Sequence, residues 1–122
     1  MNKPVIMVVD DQPVICEMVE GMLRDAYEVH TFTSGKEAMN YMSDRSVDLV
    51  LLDYDMPNMT GYEVLLATRA NKHNSKTPVI FLTAETNERM KTEMIERGAS
   101  DYICKPINSS ELLRSIKKQL AC

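Results

Sequence analysis

Hydrophobic positions in this chain fall into short apolar runs separated by stretches of helical spacing. The run Val47-Asp48-Leu49-Val50-Leu51-Leu52 is too short to cross a membrane and has the length of a strand buried on both faces. It stops on Asp53, then passes through Asp55 into the turn-forming segment Met56-Pro57-Asn58-Met59-Thr60-Gly61. Pro4 to Val9 is a second such run and ends in Asp10-Asp11. Pro78 to Thr83 is another, and Asp101 to Cys104 is a shorter one followed by Lys105-Pro106. Tyr27 to Phe32 alternates, the pattern of an edge or half-buried strand.

Between the runs, apolar residues recur every three or four positions. Gln12-Pro13 opens a helix, since proline fits the first turn. That helix places Ile15, Met18, Val19, Met22 and Leu23 on one face and ends near Asp25. Ser34 with Glu37 three residues on forms a capping box for a short helix that buries Ala38, Tyr41 and Met42. A helix over about residues 60–70 offers Val64, Leu65 and Thr68 to the sheet. The helix over 86–97 has a thin stripe, mainly Met90, Met94 and Ile95, and Gly98 closes it. So thin a stripe suits a surface that rearranges. Asn108 with Glu111 caps a last helix striped by Leu112, Leu113, Ile116 and Leu120. Residues 71–76 read as a polar linker within the fold. Five strands alternating with five helices predict an α/β fold, a doubly wound five-stranded parallel sheet with right-handed crossovers. No repeat or low-complexity segment interrupts the pattern, so residues 1–122 are expected to form one domain.

Composition narrows the function more than the fold. The net charge of -4 argues against a nucleic-acid-binding surface, which needs a basic patch. Without an apolar run of eighteen residues or a charged-then-apolar leader, a cytoplasmic chain with neither membrane span nor signal peptide is expected. Cys16, Cys104 and Cys122 are odd in number and lack metal-ligand spacing, so they are read as reduced thiols, two in the core and one at the terminus. Most of the ten methionines are assigned to the core by their spacing.

The polar ends of the runs carry the chemistry. Asp10 and Asp11, Asp53, Thr83 and Lys105 each follow or end a strand, and in a parallel sheet those ends open on one edge, where such sheets place ligands. Three carboxylates together repel unless something positive sits among them. Mg²⁺ meets that need, because it takes oxygen ligands, keeps several waters and uses one or two carboxylates. Lys105 supplies a second, fixed positive charge. A carboxylate so placed is set up to attack phosphorus, with Thr83 available to hydrogen-bond a phosphoryl oxygen.

At this point the sequence resembles a known family, the receiver domains of two-component response regulators. The resemblance spans the whole chain and rests on VVDD (8–11), LLDYDMPNMTG (51–61), PVIFLTA (78–84) and GASDYICKP (98–106). It implies strand order 2-1-3-4-5, the order that general rules for such sheets illustrate with a receiver. It further implies that Asp53 is the phosphoacceptor, served by a sensor histidine kinase or a histidine phosphotransfer protein. By the same resemblance Asp10, Asp11, Asp53 and the backbone carbonyl of Asp55 hold Mg²⁺, and Thr83 and Lys105 bind phosphoryl oxygens. Tyr102 matches the aromatic that swings inward when Thr83 moves, and Lys105-Pro106 matches a cis peptide. The readout would be the face made by the fourth helix, fifth strand and fifth helix, acting on a downstream effector, a C-terminal output domain or a phosphorylation-dependent homodimer. Two positions depart from the pattern: Ile107 stands where Phe is common, and Ser100 where Asp or Glu is common. Asp55 and Glu85 add acids at the rim and are expected to tune how fast water reaches the acyl phosphate.

Each residue also has a plainer reading. Asp53 alone is a loop cap, and Asp10 alone is a charge favoured by a helix N-terminus. Thr83 alone is a strand-end hydroxyl, and Lys105 a solvated lysine. Tyr102 is evenly balanced between switch and half-buried core residue. His30 and His73 are read as structural or solvent-facing, and Cys104 as a small buried hydrophobe. Two other functions compete with the phosphorylation switch. Asp53-Tyr54-Asp55 fits the D-x-D of haloacid-dehalogenase phosphohydrolases, with Asp53 as nucleophile and Asp55 as general acid. That reading leaves Asp10-Asp11 unexplained and puts the motif mid-chain without a cap domain. The other is a receiver-like interaction module that is never phosphorylated, which the intact set of five site residues disfavours. No output segment follows Leu120, so the chain is expected to be either a stand-alone receiver or a piece of a longer protein.

Overall fold

The computed structural model describes residues 2–56, 59–84 and 87–121. Strands and helices alternate: β1 (Val5–Val9), α1 (Pro13–Leu23), β2 (Glu28–Phe32), α2 (Gly35–Met42), β3 (Leu49–Asp53), α3 (Gly61–Ala70), β4 (Val79–Thr83), α4 (Glu88–Glu96), β5 (Asp101–Cys104) and α5 (Ser109–Leu120). The strands form one parallel sheet in the order β2-β1-β3-β4-β5. The sheet is doubly wound as the alternation of elements predicts, in the order that the resemblance to receivers implies, and its three central strands are the apolar runs that helices cover on both faces. β3 and β4 are buried at every position, whereas β2, at the edge, is half-buried or exposed throughout.

Two apolar layers flank the sheet. One joins Ile6, Val8, Leu49, Leu51, Ile80 and Leu82 to Val19 and Leu23 of α1 and Leu112 and Ile116 of α5. The other joins Met7, Val9, Leu52 and Phe81 to Ala38 and Met42 of α2, Val64 and Leu65 of α3 and Met94 of α4. Alternate side chains on each strand supply the two layers, as period-2 geometry requires. Two helix starts follow the caps read from the sequence, the Ser34 and Asn108 side chains accepting from the backbone N–H of Glu37 and Glu111, and Thr60 caps α3 in the same way by accepting from the Glu63 N–H. Gly98 takes a φ of 114°, a left-handed conformation that a residue with a Cβ adopts with strain, and it ends α4.

Some expectations need correction. Met18 of α1 and Ile95 of α4 are 39% and 43% exposed, so neither belongs to the apolar stripe assigned to it. On α4 only Met94 is buried. Thr86, the expected start of that helix, and Cys122 lie outside the described residues. Cys16 is buried, but Cys104 is only half-buried. The segment 71–76 is more than a solvated linker. Asn74 is 1% exposed, accepts from Val47 N–H (2.8 Å) and Thr77 Oγ1 (3.3 Å), and donates to the Arg45 carbonyl (2.7 Å). It ties the entry of β3 to the end of α2 through an amide with donors and acceptors both engaged.

Candidate functional site

The carboxyl ends of β1, β3, β4 and β5 meet at one edge of the sheet, and each brings a polar group. Asp10 follows β1 and is fully buried, its backbone N–H donating to the Phe32 carbonyl at the end of β2 (3.0 Å). Asp53 closes β3 and is 5% exposed. Thr83 closes β4 and is 1% exposed. Lys105 follows β5, and its N–H donates to the Thr83 carbonyl (2.7 Å), which extends the β4–β5 ladder by one step. The Lys105–Pro106 peptide is cis.

Register alone puts these residues side by side, and the side chains converge. Lys105 Nζ lies 3.1 Å from Asp10 Oδ2 and 3.4 Å from Asp53 Oδ1. One carboxylate oxygen from each of Asp10, Asp11 and Asp53 lies within 4.8 Å of the others. Asp10 Oδ1 accepts from the Gln12 N–H (2.9 Å), and Asp53 Oδ1 accepts from the Asp55 N–H (3.4 Å). Asp55 is exposed at the rim, as expected, while Glu85 lies outside the described residues. Tyr102 is half-buried on β5, three residues before Lys105.

Charge explains what this arrangement wants. Burial and the Asp10 charge push the Asp53 carboxyl up to about 7, against the pull of Lys105. The Lys105 ammonium is opposed by burial, yet hydrogen bonds and charge from Asp10 and Asp53 hold its pKa above the usual lysine value. One ammonium faces three carboxylates, so the site carries surplus negative charge in a poorly solvated place. A compact divalent cation with oxygen ligands relieves that surplus, and the all-carboxylate donor set fits Mg²⁺.

Three supporting residues escaped the reading of the sequence. Gly61 begins α3 against the end of β3, and its N–H donates to the Tyr54 carbonyl (3.0 Å). A Cβ there would run into the Asp53 carbonyl oxygen and lie 2.8 Å from Tyr54 Cα and 3.0 Å from Phe81. Gly61→Ala is therefore expected to cost about 1–3 kcal/mol of stability and to shift the Asp53 backbone. Denaturant unfolding measures the first, and a changed Mg²⁺ affinity the second. Arg69 donates to the carbonyls of Thr77 (2.6 Å) and Gly98 (3.0 Å), fastening α3 to the α4–β5 turn. The buried Cys16 thiol donates to the Asp10 carbonyl (3.4 Å). Gly61 was legible as a turn residue, but nothing in the sequence signals the other two contacts.

A doubly wound sheet whose carboxyl edge holds three carboxylates, a lysine and a threonine defines a class of acidic-pocket α/β domains. The chain belongs to the response regulator receiver domain family, whose sequence profile matches residues 6–117. The general function of that family in two-component systems is a phosphoryl-accepting switch, and its members are regulatory domains. The chain is 38% identical over 115 residues to a probable cyclic di-GMP phosphodiesterase of Vibrio cholerae, a match that covers 94% of this chain and 26% of that protein. It spans 26%, 7% and 50% of three such longer relatives, so receivers of this kind occur as parts of larger chains. Among solved structures, the chemotaxis response regulator CheY4 of Vibrio cholerae superposes with a TM-score of 0.91 at 34% identity, covering 98% of this chain and all of that one. The receiver domain of the Pseudomonas aeruginosa sensor histidine kinase PA1611, described with a magnesium ion coordinated in its active-site cleft, gives 0.87 at 28% identity, over 98% and 99% of the two chains. Among the described residues no helix is long and apolar enough to cross a membrane.

Proposed function

We propose that Asp53 accepts the phosphoryl group, within a receiver unit formed by residues 1–122. The observation that carries this is the contact of one ammonium, Lys105 Nζ, with two buried carboxylates from strands distant in sequence, beside Asp11 and Thr83. Such an arrangement has little use as a structural salt bridge, since a buried pair alone is weakly stabilising and a third carboxylate makes it worse. For phosphoryl transfer it has a clear use. An Oδ of Asp53 attacks phosphorus, the P–N bond to a donor imidazole breaks, and the imidazole leaves with the bonding pair. Lys105 meets the charge on the phosphoryl oxygens, and the Thr83 hydroxyl hydrogen-bonds one of them.

Asp10, Asp11, Asp53 and the carbonyl of Asp55 would hold Mg²⁺, which when bound supplies electrostatic stabilisation of the transferring group. The likeness to a receiver with magnesium in its cleft supports that assignment. The donor would be the phosphohistidine of a sensor kinase or phosphotransfer protein, in a cytoplasmic setting. The output would be a change of the α4–β5–α5 face that alters binding to an effector, an output domain or a second copy. Thr83 and Tyr102 would transmit it, since Phe81 pairs with Tyr102 and Thr83 with Cys104 on adjoining strands. Asp55 and Glu85 would set the lifetime of the acyl phosphate. Incubation with acetyl phosphate and Mg²⁺, followed by intact mass, tests the central claim. One phosphoryl group on the wild type and none on Asp53→Asn is the expected result. Catalytic turnover of a phosphoester substrate would favour the phosphohydrolase reading instead.

A further inference from the structure

The side chains of Thr83, Tyr102 and Cys104 share one face of the sheet. Thr83 pairs with Cys104 and Phe81 with Tyr102, and residues two apart on a strand point the same way. Phe81 and Tyr102 pack in the apolar layer under α3 and α4, which identifies the face. The group that α4 lays over this row is Lys91. Its ammonium stands 5.1 Å from the centroid of the Tyr102 ring, hydrogen-bonds the Cys104 sulfur, and pairs with Glu88 Oε1 at 3.6 Å. Its side chain is 14% exposed, whereas its partner Glu88 is 86% exposed. The lysine is therefore turned inward onto β5, not outward into solvent. Burial opposes its charge, but the Cys104, Glu88 and Tyr102 groups outweigh burial and hold its pKa above the usual lysine value.

The rest of α4 gives this contact leverage. Met94 is the helix's one buried residue. Its carboxyl end is pinned: Arg97 lies over the Tyr62 ring at 4.5 Å, Arg69 holds the Gly98 carbonyl, and Ser100 N–H donates to the Val79 carbonyl (2.8 Å). Near its start, the inward contact runs through Lys91, which also walls a cleft of about 250 Å³ between α4 and β5 together with Tyr102 and Ile95.

We propose that Lys91 is a positioning residue, a latch that holds α4 against Tyr102 and Cys104 and so stabilises the unphosphorylated arrangement. This rests on the reading of Asp53 as phosphoacceptor and of Thr83 and Tyr102 as its switch. Motion of Thr83 toward a phosphoryl group disturbs its strand neighbour Cys104, and motion of the Tyr102 ring removes the aromatic face. Either one strips Lys91 of a partner, so the latch resists the switch and releases with it.

The test is beryllofluoride binding in saturating Mg²⁺, followed in protein labelled with fluorotyrosine. Lys91→Ala is expected to raise beryllofluoride affinity about threefold to tenfold, and to move the Tyr102 signal toward its ligand-bound position before any ligand is added. Lys91→Arg keeps a cation over the ring and is expected to stay within about twofold of wild type. In a Tyr102→Ala background the effect of Lys91→Ala should largely vanish, a non-additivity that a merely structural lysine does not produce. Folded Lys91→Ala protein with unchanged affinity, or full additivity with Tyr102→Ala, overturns the latch alone. Wild-type protein that binds no beryllofluoride overturns the phosphoacceptor reading and the latch with it.

Discussion

In the Asp11→Asn protein, Mg²⁺ affinity is expected to fall by about 10–100-fold, the loss typical when a metal site gives up one of its supporting groups. Asp11 is the least buried of the three carboxylates, and Lys105 contacts Asp10 and Asp53 instead. The variant therefore keeps the ammonium-bridged pair and folds, so the measurement isolates ion binding. Titration calorimetry on chelator-treated protein reads it directly. Phosphorylation by acetyl phosphate should fall in proportion at low Mg²⁺ and recover as the ion is raised, the signature of a binding defect. The pH dependence carries a second check. With Asp53 held at about 7, the metal-free site binds a proton below that pH, and the ion must displace it. Wild-type affinity should rise about tenfold per pH unit below 7 and level off above. The Asp11 carboxylate accepts a hydrogen bond from protonated Asp53 and so contributes to the elevation of Asp53, and in Asp11→Asn the levelling should move to lower pH. An unchanged affinity would mean that Asp11 faces the cluster without serving an ion.

The fold was legible because the strands announce themselves locally, while their order came from the resemblance to receivers. Apolar runs of four to six residues, ending on or followed by Asp, Asp, Thr and Lys, mark the strands and, with parallel pairing, the edge where their ends meet. The side chains of Asp10, Asp53 and Lys105 then have little choice of neighbour, and the structure brings them within 3.4 Å. Legibility failed where a contact depends on the depth of a helix. Met18 and Ile95 fit an apolar period but lie at the exposed edges of their helices' apolar faces, where a stripe drawn from spacing alone is too wide. Asn74 looked solvated because it lies among Lys, His and Ser, yet the β3 entry needs a donor and an acceptor at that point. Lys91 gave no signal either. A lysine on a polar helix is read as solvent-facing, and only the placement of Tyr102 and Cys104 beneath it turns it inward.

The same electrostatics that prepare Asp53 should weaken the metal-free fold. An unperturbed aspartate titrates near 3.8, whereas burial and Asp10 hold Asp53 at about 7. Between those values the folded chain keeps a proton that the unfolded chain has released. Stability therefore declines as pH rises through this window, and the loss is complete above about 7. Asparagine is neutral throughout and escapes the penalty, while Lys105 keeps Asp10 at 3.1 Å as its partner. In chelator, Asp53→Asn is expected to be more stable than wild type, with a gap that is small at pH 4, grows to pH 7 and then holds at about 1–3 kcal/mol. That corresponds to about 4–12 °C in Tm for a chain of this size. Mg²⁺ should narrow the gap from the other side, because an ion bound to the folded state alone stabilises wild type more than a variant lacking one carboxylate. Calorimetric scans at pH 5 and pH 8, with chelator and then with Mg²⁺, separate the two effects. Equal stability of wild type and Asp53→Asn at pH 8 in chelator would show that the three carboxylates do not strain one another, and the electrostatic case for an ion among them would fall.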